Sequence, residues 1–337
     1  GSAKADALLS TIGGGTEQLA TVGITAGLLK VAHGEMSREE YLEQYGHRHA
    51  NENELSVRRP KEDPDWLDRQ LAEMEQHPVD IESMLEKRAA EFQVAWAQFE
   101  ELHPKKAKSI KRKLDKLTKT THIRESVRSE LTRAIGVMRA WFLRAGEITG
   151  LADDIFFLTY EETLNLLSGE ETAIAHISAR RETYEKYRAL PPYPALIRGR
   201  FDPIQWAADP NRRHDAFDAH APLASVPESS TLKGYPGSAG RVEGLVRRIE
   251  SPEAGDQLQS GEILVAVTTN VGWTPLFPRA AAVVTDIGAP LAHAAIVARE
   301  LGIPAVVGCG NATLRLRTGD RVRVDGAQGI VEILETA

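Results

Sequence analysis

The segment GAPLAHAAIVARELGIPAVVG, residues 288–308, decides what fold is predicted for the region around it. Gly288 and Pro290 exclude a regular helix immediately before His293. The residues after His293 are typical of a helix that ends at Gly302. The spacing therefore places His293 at or near the amino terminus of a short helix, which we expect to run to about residue 301.

A position at a helix amino terminus affects the chemistry of the His293 imidazole. A helix amino terminus offers free backbone N–H groups and positive charge, which lower the pKa of an imidazole and favour a bound anion. A neutral imidazole nitrogen is a nucleophile, and a phosphoryl group attached to it would be such an anion. The residues alone leave three alternatives open, namely a packed or capping histidine, a metal ligand and a phosphate carrier. The metal ligand is disfavoured, because no His, Cys or acidic residue follows at i+3 or i+4.

Short apolar stretches separated by glycine turns surround this helix, and they are typical of β-strands. They lie at residues 240–249, 261–267, 281–286, 304–308, 320–326 and 329–334. We expect them to form one α/β domain with the helix, over residues 233–337.

The chain before residue 190 has a different composition, with few glycines and prolines. It contains long stretches in which apolar residues recur at helical spacing. Ser37 followed by Glu40 predicts the capped start of a helix. Further helices are predicted over 67–101, with a break near His77-Pro78, and over 105–118 and 121–147. The apolar positions of the last helix are Ile123, Val127, Leu131, Ile135, Met138 and Phe142. Residues 191–232 are rich in Pro, Asp, Ala and Ser, which predicts a linker with at most short structure.

Composition excludes several kinds of protein. The 337 residues include 41 basic and 48 acidic side chains, a balance that disfavours nucleic-acid binding. The single cysteine, Cys309, excludes an internal disulfide framework and indicates a reducing, cytoplasmic setting. No apolar run is long enough for a membrane span. The basic run at 105–119 predicts a solvated helix, with contact to a polyanion or a partner protein as the alternative.

Residues 234–334 resemble the mobile phosphohistidine domain of the phosphoenolpyruvate-utilising enzymes, and most closely the carboxyl-terminal part of the rifampin phosphotransferase-like dikinases. The residues in register with the family pattern are Gly288, His293, Ala295, Ala298, Arg299, Glu300, Gly302, Ile303, Pro304 and Gly308. The resemblance implies an α+β multidomain protein, with a helical substrate-binding region followed by a β/β/α swivelling phosphohistidine domain. It also implies that His293 carries the phosphoryl group and that Arg299 steadies either that group or the local fold.

The chain departs from the family pattern at three places. Ala289 replaces the second glycine of a pair, and Ala292 replaces a hydroxyl residue that can hydrogen-bond a phosphoryl oxygen. Thr269-Asn270-Val271 stands where the family has Thr-Asp-Pro. These departures keep a second hypothesis open, in which the chain is a catalytically inert binding or regulatory module on the same fold.

The segment YGHRHANENELSVRRPKEDPDWL, residues 45–67, resembles the substrate-binding region of the same dikinases. The matching residues are Tyr45, Gly46, His47, Arg48, Glu52, Glu54 and Leu55. The resemblance implies that His47 is the general base for an acceptor hydroxyl and that Arg48 holds the phosphoryl group, with Glu52 and Glu54 binding substrate. A purely structural ion pair between Arg48 and either carboxylate is the alternative. His49 has no counterpart in the family pattern, and the DIFFLT stretch at 154–159 suggests a strand.

No stretch of the chain resembles an ATP-grasp domain or a phosphoenolpyruvate-binding barrel. TIGGGTE, residues 11–17, lacks the Gly-Lys-Ser/Thr ending of a phosphate loop. We therefore expect no cofactor bound by this chain alone, with ATP and Mg bound by an ATP-grasp domain or subunit, and a helical region of 1–190 truncated at its start. The acceptor would be a small-molecule hydroxyl. A domain that swings on the 191–232 linker predicts few strong contacts between the two parts.

Overall fold

A computed structural model describes residues 20–78, 80–221 and 229–337. The amino-terminal part is helical. Its helices are α1 (Ala20–Ala32), α2 (Arg38–Tyr45), α3 (Trp66–Gln76), α4 (Ile81–Leu102), α5 (Pro104–Thr149), α6 (Tyr160–Leu167) and α7 (Ile177–Arg188). The glycine run at 11–17 and the predicted start of the region lie outside the described residues.

Capping residues and a helix-breaking residue determine two of these helix ends, as the sequence predicts. Ser37 and Glu40 form the reciprocal hydrogen bonds of a capping box at the start of α2. The break predicted near His77-Pro78 separates α3 from α4. The prediction of two helices over 105–118 and 121–147 is wrong, because α5 runs without interruption. The hydroxyls of Thr120 and Thr121 donate to backbone carbonyls four residues earlier, so the threonines stay within the helix.

The long helix α5 presents the opposite face to the one that its periodicity predicts. Ile123, Val127, Leu131 and Met138 are exposed, and Phe142 is buried. The buried positions between them are Glu125, Thr132 and Arg139, and the polar side chains of this face meet the segment that follows α2. The polar side of α5 therefore faces inward, toward the site described below.

The predicted strand at 154–159 is also absent, because residues Ala152–Phe157 form a 3-10 helix. Thr159 then caps α6 in a capping box with Glu162, which fixes the direction of the chain there. Within its described residues, 191–221 and 229–232, the predicted linker holds only short structure, as expected. It contains β1 (Leu196–Arg198), α8 (Pro203–Ala208) and β2 (Ala216–Asp218), with β1 and β2 paired in parallel.

The carboxyl-terminal part contains an eight-stranded mixed sheet. Its strands are β3 (Thr231–Lys233), β4 (Tyr235–Ser238), β5 (Arg241–Arg248), β6 (Ile263–Ala266), β7 (Ala282–Thr285), β8 (Ala305–Val307), β9 (Arg321–Asp325) and β10 (Ile330–Glu335). Their order is β3-β10-β9-β5-β6-β7-β8-β4, and β5 to β8 run parallel. All six predicted strands are confirmed, and β3 and β4 were not predicted.

Helix α9 (His293–Leu301) connects β7 to β8, and α10 (Ala312–Arg315) follows β8. Alternating residues of β6 and β7 point to two apolar layers. One layer holds Leu264 and Val283 with α9 and a 3-10 helix at Val271–Arg279, and the other holds Val265 and Val284. The sheet thereby fixes α9 and the 3-10 helix side by side above the carboxyl ends of β6 and β7. Across the described ranges, no helix is long and apolar enough to span a bilayer.

Candidate active site

His293 is the first residue of α9, as its sequence setting predicts. Ala292 is the N-cap, with extended backbone, and its methyl group makes no capping hydrogen bond. Gly302 ends the helix with a φ of 70°, a conformation that glycine adopts without strain. The first turn of α9 therefore keeps N–H groups that no N-cap side chain occupies, next to the imidazole.

Two hydroxyl groups contact the His293 ring. Thr269 Oγ1 lies 2.9 Å from Nδ1, and Thr274 Oγ1 lies 3.4 Å from Nε2. Thr274 donates its proton to the carbonyl of Val271 at 2.8 Å. Phe277 packs edge-on against the ring, with 5.8 Å between ring centroids. The ring is therefore held in one orientation, and Nδ1 makes the shorter of its two polar contacts.

Burial, with smaller contributions from the positive charges of Arg128 and Arg48, lowers the pKa of His293 to about 3. The ring is consequently neutral at pH 7 and keeps a lone pair on one nitrogen. Both arginines belong to the helical region, so the charges of that region reach His293.

Arg48 and Arg128 share one carboxylate. Arg48 Nε forms an ion pair with Glu52 Oε1, and Arg128 Nε donates to Glu52 Oε2 at 2.9 Å. Arg48 and Glu52 are each only 4% exposed, whereas the Arg128 side chain is half-exposed. The carboxylate thus holds two guanidinium groups near His293 in a charge-assisted network. Arg128 was not singled out from the sequence, although it lies in the 123–131 segment that resembles the substrate-binding region.

The other predicted residues lie at varying distances from this centre. Arg299 donates to the carbonyls of Gly237 at 2.7 Å and Pro290 at 2.5 Å, so it ties the loop before His293 to β4. Those contacts favour the local-fold alternative for Arg299. Glu54 is exposed and accepts from the N–H and hydroxyl of Ser56, and the structure does not bring it together with Arg48.

His47 is buried and faces a different part of the helical region. Its Nε2 lies 2.7 Å from Ser129 Oγ on α5. Burial, with smaller contributions from Arg133 and other nearby cations, lowers the pKa of His47 to about 4. His47 lines a cavity of about 330 Å³ together with Lys61 and Arg59. The neutral ring can therefore accept a proton, in surroundings rich in positive charge.

A larger cavity of about 480 Å³ lies where the two parts of the chain meet. Arg48, His49 and Arg59 line it from the helical region, and Val271 and Pro275 line it from the sheet domain. Arg48 thus borders this cavity and also acts on His293. The cavity is therefore a candidate binding space that Arg48 links to His293.

The two parts contact each other directly, so the expectation of few strong contacts is wrong for this arrangement. Arg279 pairs with Glu73 at 3.1 Å, and Arg88 Nε donates to the carbonyl of Arg299 at 3.0 Å. Charged groups on facing surfaces account for these contacts, and single-sequence periodicity does not reveal such pairs. Among the described residues, no group of three or more His, Cys, Asp or Glu side chains is placed to hold a metal.

Comparison with known proteins gives a family match for part of the chain. Residues 258–329 match the model of the PEP-utilising enzyme, mobile domain. An uncharacterised protein of Mycobacterium tuberculosis (strain H37Rv) is 37% identical over 220 residues, which cover 64% of this chain and 23% of that protein. Rifampicin phosphotransferase of Streptomyces sviceus is 36% identical over 182 residues, covering 54% of this chain and 19% of the relative.

The likeness to a third relative covers most of the chain. The prodigiosin synthesizing transferase PigC of Serratia marcescens is 33% identical over 311 residues, covering 87% of this chain and 33% of that protein. The similarity to this relative therefore includes the helical region as well as the sheet domain. The chain spans about a quarter of the length of the mycobacterial relative and a third of the length of PigC.

Proposed function

We propose, on the premise that residues 258–329 form a mobile domain of the phosphoenolpyruvate-utilising enzymes, that this chain is the carrier and acceptor part of a dikinase-type phosphotransferase. His293 receives a phosphoryl group and passes it to the hydroxyl of a small molecule bound in the helical region. An ATP-grasp domain or subunit would bind ATP with Mg and supply the β-phosphate.

The observation that carries the proposal is the place of the neutral His293 ring, at the start of α9 and within electrostatic reach of two arginines of the helical region. Its pKa of about 3 keeps a nitrogen lone pair available at pH 7, and Arg128 and Arg48 act on the same ring. A phosphoryl group on His293 would bring negative charge to that place. Two guanidinium groups beside it are the groups expected to bind a transferring phosphoryl group.

We assign the nucleophilic nitrogen as Nε2. Nδ1 makes the short contact to Thr269 Oγ1 at 2.9 Å, so an Nδ1–H can donate there and leave the lone pair on Nε2. In loading, the Nε2 lone pair forms a bond to phosphorus while the bond from phosphorus to the leaving oxygen breaks. In transfer, the acceptor oxygen bonds to phosphorus, the phosphorus–Nε2 bond breaks, and its electron pair returns to Nε2.

The helical region supplies groups that can bind the phosphoryl oxygens and accept the proton of the acceptor hydroxyl. Arg48 and Arg128, both held by Glu52, bind the phosphoryl oxygens during transfer. His47 lines the cavity of about 330 Å³, so it takes the proton of the acceptor hydroxyl where that hydroxyl reaches this cavity. Its pKa of about 4 makes it a weak base while only cations surround it, and an anion bound among those cations would raise its basicity.

Phosphoryl capture tests the carrier role. The chain is mixed with the ATP-grasp domain of a relative and with ATP labelled at the β-phosphate, and the acid-labile, base-stable label on protein is counted. We expect label on the wild type and on His176→Ala, which changes an exposed histidine, and none on His293→Ala. Equal labelling of His293→Ala and the wild type would refute the assignment.

A second candidate function is an inert binding or regulatory module, which the replacement of a hydroxyl residue by Ala292 favours. The hydroxyls of Thr269 and Thr274 at the ring weigh against it, because they offer hydrogen-bonding groups at the same place. Absence of label on the wild type, with an ATP-grasp domain that loads its own relative, would support the inert module.

A further inference from the structure

Arg59 is buried without a hydrogen-bond partner for its guanidinium group. The residue is 1% exposed, and its Nε, Nη1 and Nη2 atoms have no partner within residues 20–78, 80–221 and 229–337. Burying a cation in this way opposes folding, because the lost hydration is not replaced. Burial accordingly lowers the pKa of Arg59, with the charge of Arg139 acting in the same direction. A bound anion would replace the lost hydrogen bonds and balance the charge, so the buried guanidinium group of Arg59 is suited to bind one.

The carboxylates near Arg59 do not fill this role. Three of them act on it electrostatically, and each is hydrogen-bonded to other groups. Glu62 accepts from Arg139, Glu52 from Arg48 and Arg128, and Glu54 from Ser56. All five N–H bonds of the Arg59 guanidinium therefore stay available for an acceptor from outside the described chain.

His49 adds another donor beside Arg59. The backbone N–H of Asn51 donates to His49 Nδ1 at 3.2 Å, so the neutral ring carries its proton on Nε2. That Nε2 atom is buried, and nothing in the described ranges accepts from it. Burial, with smaller contributions from the charges of Arg59 and Arg139, lowers the pKa of His49 to about 3, so the ring stays neutral at pH 7.

These donors border the cavity of about 480 Å³. Arg48 also lines it, and its Nη2 is buried and lacks a partner among the described residues. Aromatic rings of the helical region line the same cavity, with Tyr41 stacked on Trp66 at 6.4 Å between centroids. The cavity therefore combines unpaired N–H donors with an apolar aromatic surface.

We propose that this cavity binds the anionic group of the phosphoryl acceptor, so that the acceptor is an organic acid or phosphate ester with an apolar body. The inference rests on the proposed function, since it names the substrate class of that site. Arg59 and His49 bind the oxyanion, and the aromatic rings contact the rest of the molecule.

The oxyanion site is separate from the place of the transferring phosphoryl group. Arg128 and Arg48 are the arginines that act on the His293 ring, whereas Arg59 acts on His49. Arg48 links the two, because it borders the cavity and its charge also reaches His293. An acceptor anchored by its anion at Arg59 would thus extend toward the phosphoryl group.

Calorimetric titration of the whole chain with three probes of similar body tests the site. The probes are phenylacetate, benzyl phosphate and the neutral phenylacetamide. We expect at least one anion to bind roughly tenfold to a hundredfold more tightly than the amide, the range for a hydrogen bond to a charged group. The tighter anion identifies the source of the oxyanion as carboxylate or phosphate. Equal binding of all three probes, or binding of none, would overturn the proposal.

Two variants separate an anion site from a structural arginine. Arg59→Met should remove the preference for anions and raise the melting temperature, because it removes an unpaired buried cation. Arg38→Met is the matched control, since Arg38 is exposed, pairs with Asp68 and lies outside the cavity. A lower melting temperature for Arg59→Met, or an unchanged preference for anions, would overturn the assignment. His49→Phe is a second test. It removes the Nε2–H donor, so we expect a weaker preference for anions over the amide.

Labelling of His293 tests the proposed function separately from the oxyanion site. A wild-type chain that takes the label but binds the amide as well as the anions would overturn the oxyanion site alone. A chain that prefers anions but takes no label would overturn the proposed function, and with it the assignment of the bound anion to an acceptor.

Discussion

The hydroxyl oxygen of Thr269 lies 2.9 Å from Nδ1 of His293. Thr269 follows β6 and His293 follows β7, so the parallel pairing of these strands brings the two side chains to one edge of the sheet. In the proposed mechanism this contact holds the Nδ1–H and leaves Nε2 free for the phosphoryl group. A residue without the hydroxyl would remove this contact from Nδ1 and leave the 3.4 Å contact of Thr274 with Nε2.

Replacement of that hydroxyl by a methyl group tests its role. We expect Thr269→Val to slow the labelling of His293 by roughly tenfold, because one hydrogen bond of about 1.4 kcal/mol no longer favours the reactive tautomer. Thr269→Ser keeps the hydroxyl and should retain most of the rate. The measurement is the initial rate of base-stable labelling from β-labelled ATP. Equal rates for the wild type and Thr269→Val would contradict the tautomer assignment.

The Arg48–Glu52–Arg128 network makes a prediction about stability. Glu52→Gln leaves the buried Arg48 without its anionic partner. We expect the free energy of unfolding to fall by about 3 kcal/mol, the effect of breaking a buried pair. Glu147→Gln breaks the exposed pair with Arg144 and should cost less than about 1 kcal/mol. Urea unfolding followed by circular dichroism compares the two, and equal losses would show that Glu52 contributes no more than a surface charge.

Much of the sheet domain could be predicted from local sequence. Glycine turns delimit its strands, and the Gly–Pro segment before His293 and Gly302 after it fix the limits of α9. These signals act between residues close in the chain, so a single sequence contains them in full. The capping box at Ser37 was predictable for the same reason.

The helical part of the site could be predicted only in outline. The motif that contains Arg48 and Glu52 was found, but their link to Arg128 joins residues 76 positions apart in sequence. The periodicity of α5 suggested that Val127 would be buried, yet the structure buries the polar face because that face meets Glu52 and Glu62. Long-range charge pairing outweighed apolar patterning here, and a single sequence does not show which partners will meet.

Neutral buried histidines predict a stability that depends on pH. The pKa of His47 falls to about 4 and the pKa values of His49 and His293 to about 3, all below the usual 6.5. The unfolded chain therefore binds more protons below pH 6.5, so the free energy of unfolding is highest above that pH and falls on acidification. Each histidine contributes up to about 1.4 kcal/mol per pH unit between its two pKa values.

His49→Gln isolates one contribution. Between pH 7 and pH 5 the variant should lose about 2 kcal/mol less than the wild type, because one buried group no longer takes up a proton on unfolding. His176→Gln changes an exposed histidine and should follow the wild-type curve. Urea unfolding at both pH values gives the comparison, and identical losses for His49→Gln and the wild type would show that His49 titrates alike in both states.

At one point of the contact between the two parts of the chain, Gly272 of the sheet domain lies against Ala50 of the helical region. A Cβ atom on Gly272 would lie 2.9 Å from the Cβ of Ala50 and 3.2 Å from its N and Cα atoms, closer than ordinary packing allows. We expect Gly272→Val to weaken the docking of the sheet domain on the helical region by roughly 1–3 kcal/mol, the usual effect of overpacking. The population should then shift toward a separated arrangement joined by the linker.

Small-angle X-ray scattering measures that shift as a larger radius of gyration, and cleavage by a protease within residues 191–232 should become faster. Gly136→Ala is the control, because a Cβ there meets no atom within 4 Å. The pair Ala50→Gly with Gly272→Ala should restore part of the docking, since one of the two clashing methyl groups is gone. Reduced transfer from a labelled His293 in Gly272→Val, with normal loading, would show that docking serves the second step. An unchanged radius and cleavage rate would mean that the contact at Gly272 does not hold the two parts together.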